Sequence, residues 1–261
     1  MTVFPLPIRL AILEADVTQP GTREKVGLYR DVFAALLAKA TAPQDLSAVL
    51  DIRAYDVVGN GDGNGDAAAA GPEYPALEDI DALLITGSRH TAFDDDPWIV
   101  RLVEFARRAI DGGRVRVVGV CFGHQVVGRA MGARVGKSDK GWEVAVTDVD
   151  LTARGREVFR LDRLRIHQMH RDVVFGFPEG AVPLAHNAKC AVQAMVLPGR
   201  YLTVQGHPEF TGDIVREILE KRRAAGVFSD EAYGEGVGRA GAEHDGVAVA
   251  RAFVRFMRGE S

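Results

Sequence analysis

Between residues 8 and 120 short apolar runs alternate with longer amphipathic ones, and that alternation leaves few folds open. IRLAIL (8–13), VLDIRAYDVV (49–58), DALLIT (81–86) and VRVVGV (115–120) have the length of strands, and the last is apolar on both faces. Between the first two, REKVGLYRDVFAALLAKA (23–40) puts Val26, Tyr29, Phe33, Leu36, Leu37 and Ala40 on one helical face with charges opposite. A second helix is expected over 97–110. Strands that are apolar throughout need cover on both sides, which a parallel sheet between two helical layers provides. Beyond about residue 140, WEVAVTDVDL, AVPLAH, KCAVQAMVL and RYLTVQG are β-rich and closely spaced, so antiparallel additions or strands extending that sheet are expected. Two helices, over 212–226 and 246–259, close the chain. No internal repeat or linker interrupts the 261 residues, and a single domain over 1–261 is expected.

Charge narrows the partners. The formal net charge is −4 with both signs mixed and no basic stripe, so neither nucleic acid nor an anionic membrane is expected to bind. The first residues are apolar but broken by Pro5, Pro7 and Arg9, too short and interrupted for a signal peptide or a membrane span. Two cysteines, Cys121 and Cys190, cannot frame a disulfide scaffold in a chain this long, and a reduced, cytoplasmic setting is expected. The stretch GNGDGNGDAAAAGPEYP (59–75) places Asp62, Asn64, Asp66 and Glu73 where a calcium loop has ligands. Its sixth position is Ala67 instead of the glycine the turn requires, and Pro72 precedes the glutamate. Calcium is rejected in favour of a solvated loop.

The chemistry starts at GVCFGHQ, residues 119–125. Gly119-Val120-Cys121-Phe122-Gly123 is the cysteine form of a nucleophile elbow, in which a strained strand-to-helix turn holds out a reactive side chain and small flanking residues let the backbone pack. At the amino end of the following helix, free N–H groups and the helix dipole favour a negatively charged sulfur. The backbone N–H of Phe122 is placed to help hold an oxyanion. A cysteine after a strand is also a common core residue, and the spacing by itself leaves both roles open.

A base is needed next. His90, His186 and His244 read as surface residues, and His124 as first-turn helix surface or substrate rim. His207 follows the strand YLTVQ through Gly206, so it too stands at a strand end. Pro208 keeps it out of helical geometry. In extended chain Glu209 projects to the same side and can reach back to the His207 ring, fixing its tautomer. Read alone, the stretch is also a plain polar turn.

Together GVCFGHQ and VQGHPEF resemble a class I glutamine amidotransferase domain, over most of the chain from the third strand to the helix after Phe210. That resemblance implies a flavodoxin-like, doubly wound α/β/α fold. It implies Cys121 as nucleophile, His207 as acid and base, and Glu209 as its orienter. LLITGS (83–88) stands where the family keeps an oxyanion loop, here Thr86-Gly87-Ser88, so the Ser88 N–H would join that of Phe122. Gly87 and Gln125 are implied as substrate contacts, and in HQMHRDVV so are Gln168, Met169 and His170, partly through backbone. Neither metal nor organic cofactor is implied. The free-standing length, TGS and HQMHRD look more like the gamma-glutamyl peptidase and stand-alone branch. Three functions stay open: hydrolysis or transfer of a small-molecule γ-glutamyl amide, a glutaminase subunit passing ammonia to a separate synthase, and a catalytically silent binding module.

Overall fold

Ile8, Leu10 and Ile12 of β1 (Ile8–Glu14) are buried in one apolar cluster and Ala11 and Leu13 in another. Successive side chains of a strand point to opposite faces, so this strand is covered on both. The computed structural model describes residues 4–59 and 73–260. After β1 come α1 (Pro20–Lys25), α2 (Tyr29–Thr41), α3 (Leu46–Val49) and β2 (Leu50–Asp56). β3 (Ala82–Ile85) leads to α4 (Pro97–Gly112), and β4 (Arg116–Val120) runs directly into α5 (Phe122–Ala130). Next are β5 (Val135–Lys137), β6 (Glu143–Leu151), α6 (Ala153–Phe159), β7 (Leu164–His170) and β8 (Asp172–Val174). β9 (Val182–His186), β10 (Ala194–Leu197) and β11 (Tyr201–Val204) precede α7 (Gly212–Ala224), α8 (Asp230–Ala240) and α9 (Gly246–Arg258).

The main sheet has the order β2-β1-β3-β4-β11-β10-β9-β6-β7. Its first five strands are parallel, in the doubly wound order of flavodoxin-like folds. From β11 onward each neighbour is antiparallel. Phe33 and Leu37 of α2 and Val249, Phe253 and Met257 of α9 cover one face. Ile99, Leu102, Phe105 and Ala106 of α4 with Val126 and Val127 of α5 cover the other. A third cluster joins α7 and α8 to the ends of β6 and β7 through Ile214, Val215, Leu219, Val144 and Met169. The parallel strands carry their carboxyl ends to one edge, where ligands bind in open α/β sheets. Among the described residues no helix is long and apolar enough to cross a membrane.

Several expectations need correction. Of the two readings open for RYLTVQG, the extension strand holds: β11 pairs in parallel with β4, and only its β10 side is antiparallel. The helix expected over 23–40 is two helices. Gly27 at φ 116 breaks it, the Asp31 carboxylate accepts the Leu28 N–H at 2.8 Å, and Val26 is left exposed. Three helices, not two, close the chain: α8 packs Ala232, Tyr233, Val237 and Ala240 on the third cluster, but small residues on that face leave little apolar signal in the sequence. The segment HQMHRD lies largely in β7, paired with β6 so that His170 faces Glu143. Of the calcium-like stretch, residues 60–72 lie outside the described residues.

Candidate active site

Cys121 caps α5 at φ 52 and ψ −101, a backbone region costing about 1–3 kcal/mol for a residue with a side chain. The surroundings hold it there. Its N–H donates to the Val204 carbonyl of β11 at 2.9 Å, and its own carbonyl accepts the Gln125 N–H at 3.1 Å. The flanking glycines are needed sterically. A Cβ on Gly119 would come within 2.6 Å of the Gly123 carbonyl oxygen, and one on Gly123 within 2.2 Å of the Ile85 carbonyl oxygen. The G-x-C-x-G spacing thus allows the strand, turn and helix to close on one another. Cys121 is 5% exposed and borders a cleft of about 460 Å³ at the carboxyl edge of the sheet.

His207 is placed from the other side. Its N–H donates to the His167 carbonyl of β7 at 2.7 Å, and its ring stacks on Phe210 with centroids 3.9 Å apart. An added Cβ on Gly87 would sit 2.6 Å from its Cε1, so the loop after β3 must be bare at that position. Nδ1 lies 2.7 Å from Glu209 Oε1, and the Cys121 side chain is close enough to favour charge on the ring. The Glu209 contact is made through a turn at 208–209, not the extended chain expected from the sequence. Burial works against charge on the ring, but Glu209 and Cys121 outweigh it and raise His207 to about 10. The structure therefore brings Cys121, His207 and Glu209 to one place, with His207 and Glu209 hydrogen-bonded.

The loop after β3 is tied to the end of β1: Thr86 Oγ1 accepts the Ala15 N–H at 3.0 Å and donates to the Gly87 carbonyl at 3.0 Å. Ser88 borders the same cleft as Cys121. The first N–H groups of a helix have no intrahelical partner, which leaves that of Phe122, the first residue of α5, available beside the sulfur.

The remaining site residues divide. Gln125, Met169 and His170 border the cleft. The Gln125 amide donates to the Asp172 carbonyl at 2.8 Å and to Gln205 Oε1 at 3.1 Å. The Gln168 side chain is not brought to the cleft; it is fully buried and donates to Gln193 Oε1 at 2.9 Å. His124 is not helix surface or rim. It is 0% exposed, bonded through Nδ1 to Thr203 Oγ1 at 2.8 Å, and burial and the nearby His170 push it down to about 3. His244 is only partly exposed and packs 4.6 Å from the His167 ring. Cys190 is 1% exposed, and burial pushes its thiol up to about 12. Among the described residues no group of three or more His, Cys, Asp and Glu side chains is placed to hold a metal ion.

The model of the family described as glutamine amidotransferase class-I matches residues 69–222. The chain belongs to that family. A glutamine amidotransferase-like protein of Schizosaccharomyces pombe is 32% identical over 252 residues, covering 95% of this chain and 98% of the relative. A gamma-glutamyl peptidase of Arabidopsis thaliana is 30% identical over 212 residues, 78% of this chain and 76% of the relative. The crystal structure of a glutamine amidotransferase from Thermotoga maritima superposes with a TM-score of 0.71 at 17% identity, covering 97% and 99% of the two chains, a likeness of fold.

The candidate site in this amidotransferase-family chain has parts the sequence did not disclose. Glu143 accepts from Asn187 Nδ2 at 2.6 Å and Gln193 Nε2 at 3.0 Å, and its Oε2 lies 3.2 Å from His170 Nε2 without the alignment of a hydrogen bond. Burial opposes its charge, but His170 and Asn187 prevail and hold it below the usual carboxylate range. Asp16, just past β1, accepts the Arg89 N–H at 2.8 Å and pairs with its guanidinium at 3.2 Å. A carboxylate directly after a parallel strand was a usable signal for Asp16. Nothing in the sequence marks Arg222, which reads as one of three basic residues in the last turn of α7.

Proposed function

We propose that the whole chain acts as one domain that hydrolyses or transfers a γ-glutamyl amide through a γ-glutamyl thioester on Cys121. The observation that carries this reading is the Cys121–His207–Glu209 row at the carboxyl edge of the sheet, with Cys121 held at φ 52. The kinship with gamma-glutamyl peptidases supports the substrate class.

In the first step the Cys121 sulfur attacks the γ-carbonyl carbon, and the carbonyl oxygen takes the negative charge. The N–H groups of Ser88 and Phe122 stabilise it; removing one such donor in comparable sites costs about 10²–10³ in rate. As the C–N bond breaks, protonated His207 gives its proton to the leaving nitrogen. Neutral His207 then takes a proton from water, whose oxygen attacks the thioester carbon. The C–S bond breaks, glutamate leaves, and the sulfur returns beside a protonated ring. Splitting one hard amide cleavage into two easier displacements is the gain of covalent catalysis. Glu209 holds the ring through Nδ1 and steadies its charge.

Cys121→Ser tests the assignment with glutamine and a γ-glutamyl anilide as substrates. Turnover is expected to fall by at least about 10³-fold with an unchanged circular dichroism spectrum. Retained hydrolysis in that variant would refute the reading.

A further inference from the structure

The cleft is two neighbouring chambers. The larger, about 460 Å³, is bordered by Cys121, Gln125 and His170 but not by His207. The smaller, about 220 Å³, is bordered by His207, Tyr29 and Phe210 but not by Cys121. Ser88, Arg89, Met169 and Arg222 border both, so the chambers meet between sulfur and imidazole.

That division assigns the two halves of a γ-glutamyl amide, on the reaction proposed above. The acyl carbon stays with the sulfur, and the leaving nitrogen departs with the proton of His207. The scissile bond spans the junction, with the leaving amine on the His207 side. We propose that the smaller chamber is a leaving-group subsite for an amine bearing a carboxylate, an α-amino acid or short peptide, and that Arg222 recognises that carboxylate.

Volume argues first. A water-sized molecule such as ammonia needs a cavity of only about 10–15 Å³, so a 220 Å³ chamber far exceeds the by-product of glutamine hydrolysis. Charge argues next. Arg89 is committed to Asp16 at 3.2 Å, and Lys221 Nζ donates to Gln19 Oε1 at 2.7 Å. Arg222 is half-buried with its guanidinium 4.4 Å from the centre of the Trp142 ring, and among the described residues it forms no ion pair. A planar guanidinium held against an aromatic face is preorganised for bidentate contact with a carboxylate. The helix dipole explains basic residues at the end of α7; it does not explain one of them forming a wall of both chambers. Phe210 and Ile218 leave room for a small apolar side chain on the leaving residue.

The test compares kcat/KM for γ-glutamylalanine and γ-glutamylethylamide, whose leaving amines differ only by the carboxylate. The wild-type protein is expected to prefer the peptide by about tenfold to a hundredfold, the range of a charged hydrogen-bonded contact. Arg222→Met is expected to bring the ratio toward one, and Arg222→Lys to keep part of it. Equal rates on the two substrates in the wild type overturn the subsite. So does an Arg222→Met variant that loses both substrates equally, since that result moves Arg222 to the glutamyl carboxylate. Cleavage of neither amide nor of glutamine removes the reaction itself, a failure distinct from an absent preference.

Discussion

At the scale of single residues the site depends on which groups can carry charge out of water. His207 is 3% exposed, yet raised to about 10, because Glu209 on one side and Cys121 on the other stabilise the imidazolium more than burial opposes it. Removing Cys121 takes away two of the four favourable contributions and leaves the burial cost in place. In a ring-proton NMR titration, wild-type His207 is therefore expected to stay protonated through neutral pH and lose its proton near 10. In Cys121→Ala its midpoint should fall; an unmoved midpoint would show that sulfur and ring are not coupled. Cys121, His207 and Glu209 were legible because two short motifs each place reactive types at a strand end. Arg222 was not, since a basic residue in a final helical turn looks the same whether it meets solvent or a cleft. Gln168 was carried in with its neighbours, but its amide is taken up by Gln193, a partner that only the fold brings near.

At the scale of elements the elbow is a close-packing problem. Gly119, on β4, and Gly123, on α5, have no room for a methyl group because backbone of the turn itself or of β3 occupies the space. Gly123→Ala is expected to cost about 3 kcal/mol or more, since a backbone carbonyl cannot swing aside as a side-chain end can. Gly112→Ala, near the end of α4 with nothing within 4 Å of the added carbon, is the matched control and should be neutral or slightly stabilising. Urea denaturation of the two variants checks this; equal midpoints would contradict the packing account. β1, β3, β4 and α4 were readable from apolar runs because burial on both faces of a strand removes polar residues, whereas β2, at the sheet edge, keeps Asp51 and Arg53 and is mostly half-exposed. The split between α1 and α2 was missed because the apolar periodicity continues across Gly27 while the backbone does not. The pairing direction of β11 stayed open in the sequence because it is set by topology, not by composition.

At the scale of the whole molecule, seating β7 and the 205–209 turn against the parallel sheet buries histidines far from water. His124 and His167 are both 0% exposed, and burial pushes each down to about 3. Above the ordinary histidine value of 6.5 neither affects stability. Below it the unfolded chain takes up protons that the folded chain refuses, so stability falls as pH drops toward 3, by about 1.4 kcal/mol per pH unit for each ring. Melting temperature should decline steeply between pH 6 and 4, and less steeply in His124→Gln; a flat profile would show the rings reachable by solvent protons. The same burial separates the two thiols, because Cys190 is 1% exposed and raised to about 12, whereas Cys121 borders the cleft. The central claim is that only the latter meets substrate. Intact-mass analysis after incubation with a glutamine analogue that alkylates active-site thiols tests it most directly. One adduct per chain, mapped to Cys121 and suppressed by excess glutamine, is the predicted result; labelling at Cys190, or none at Cys121, would contradict it.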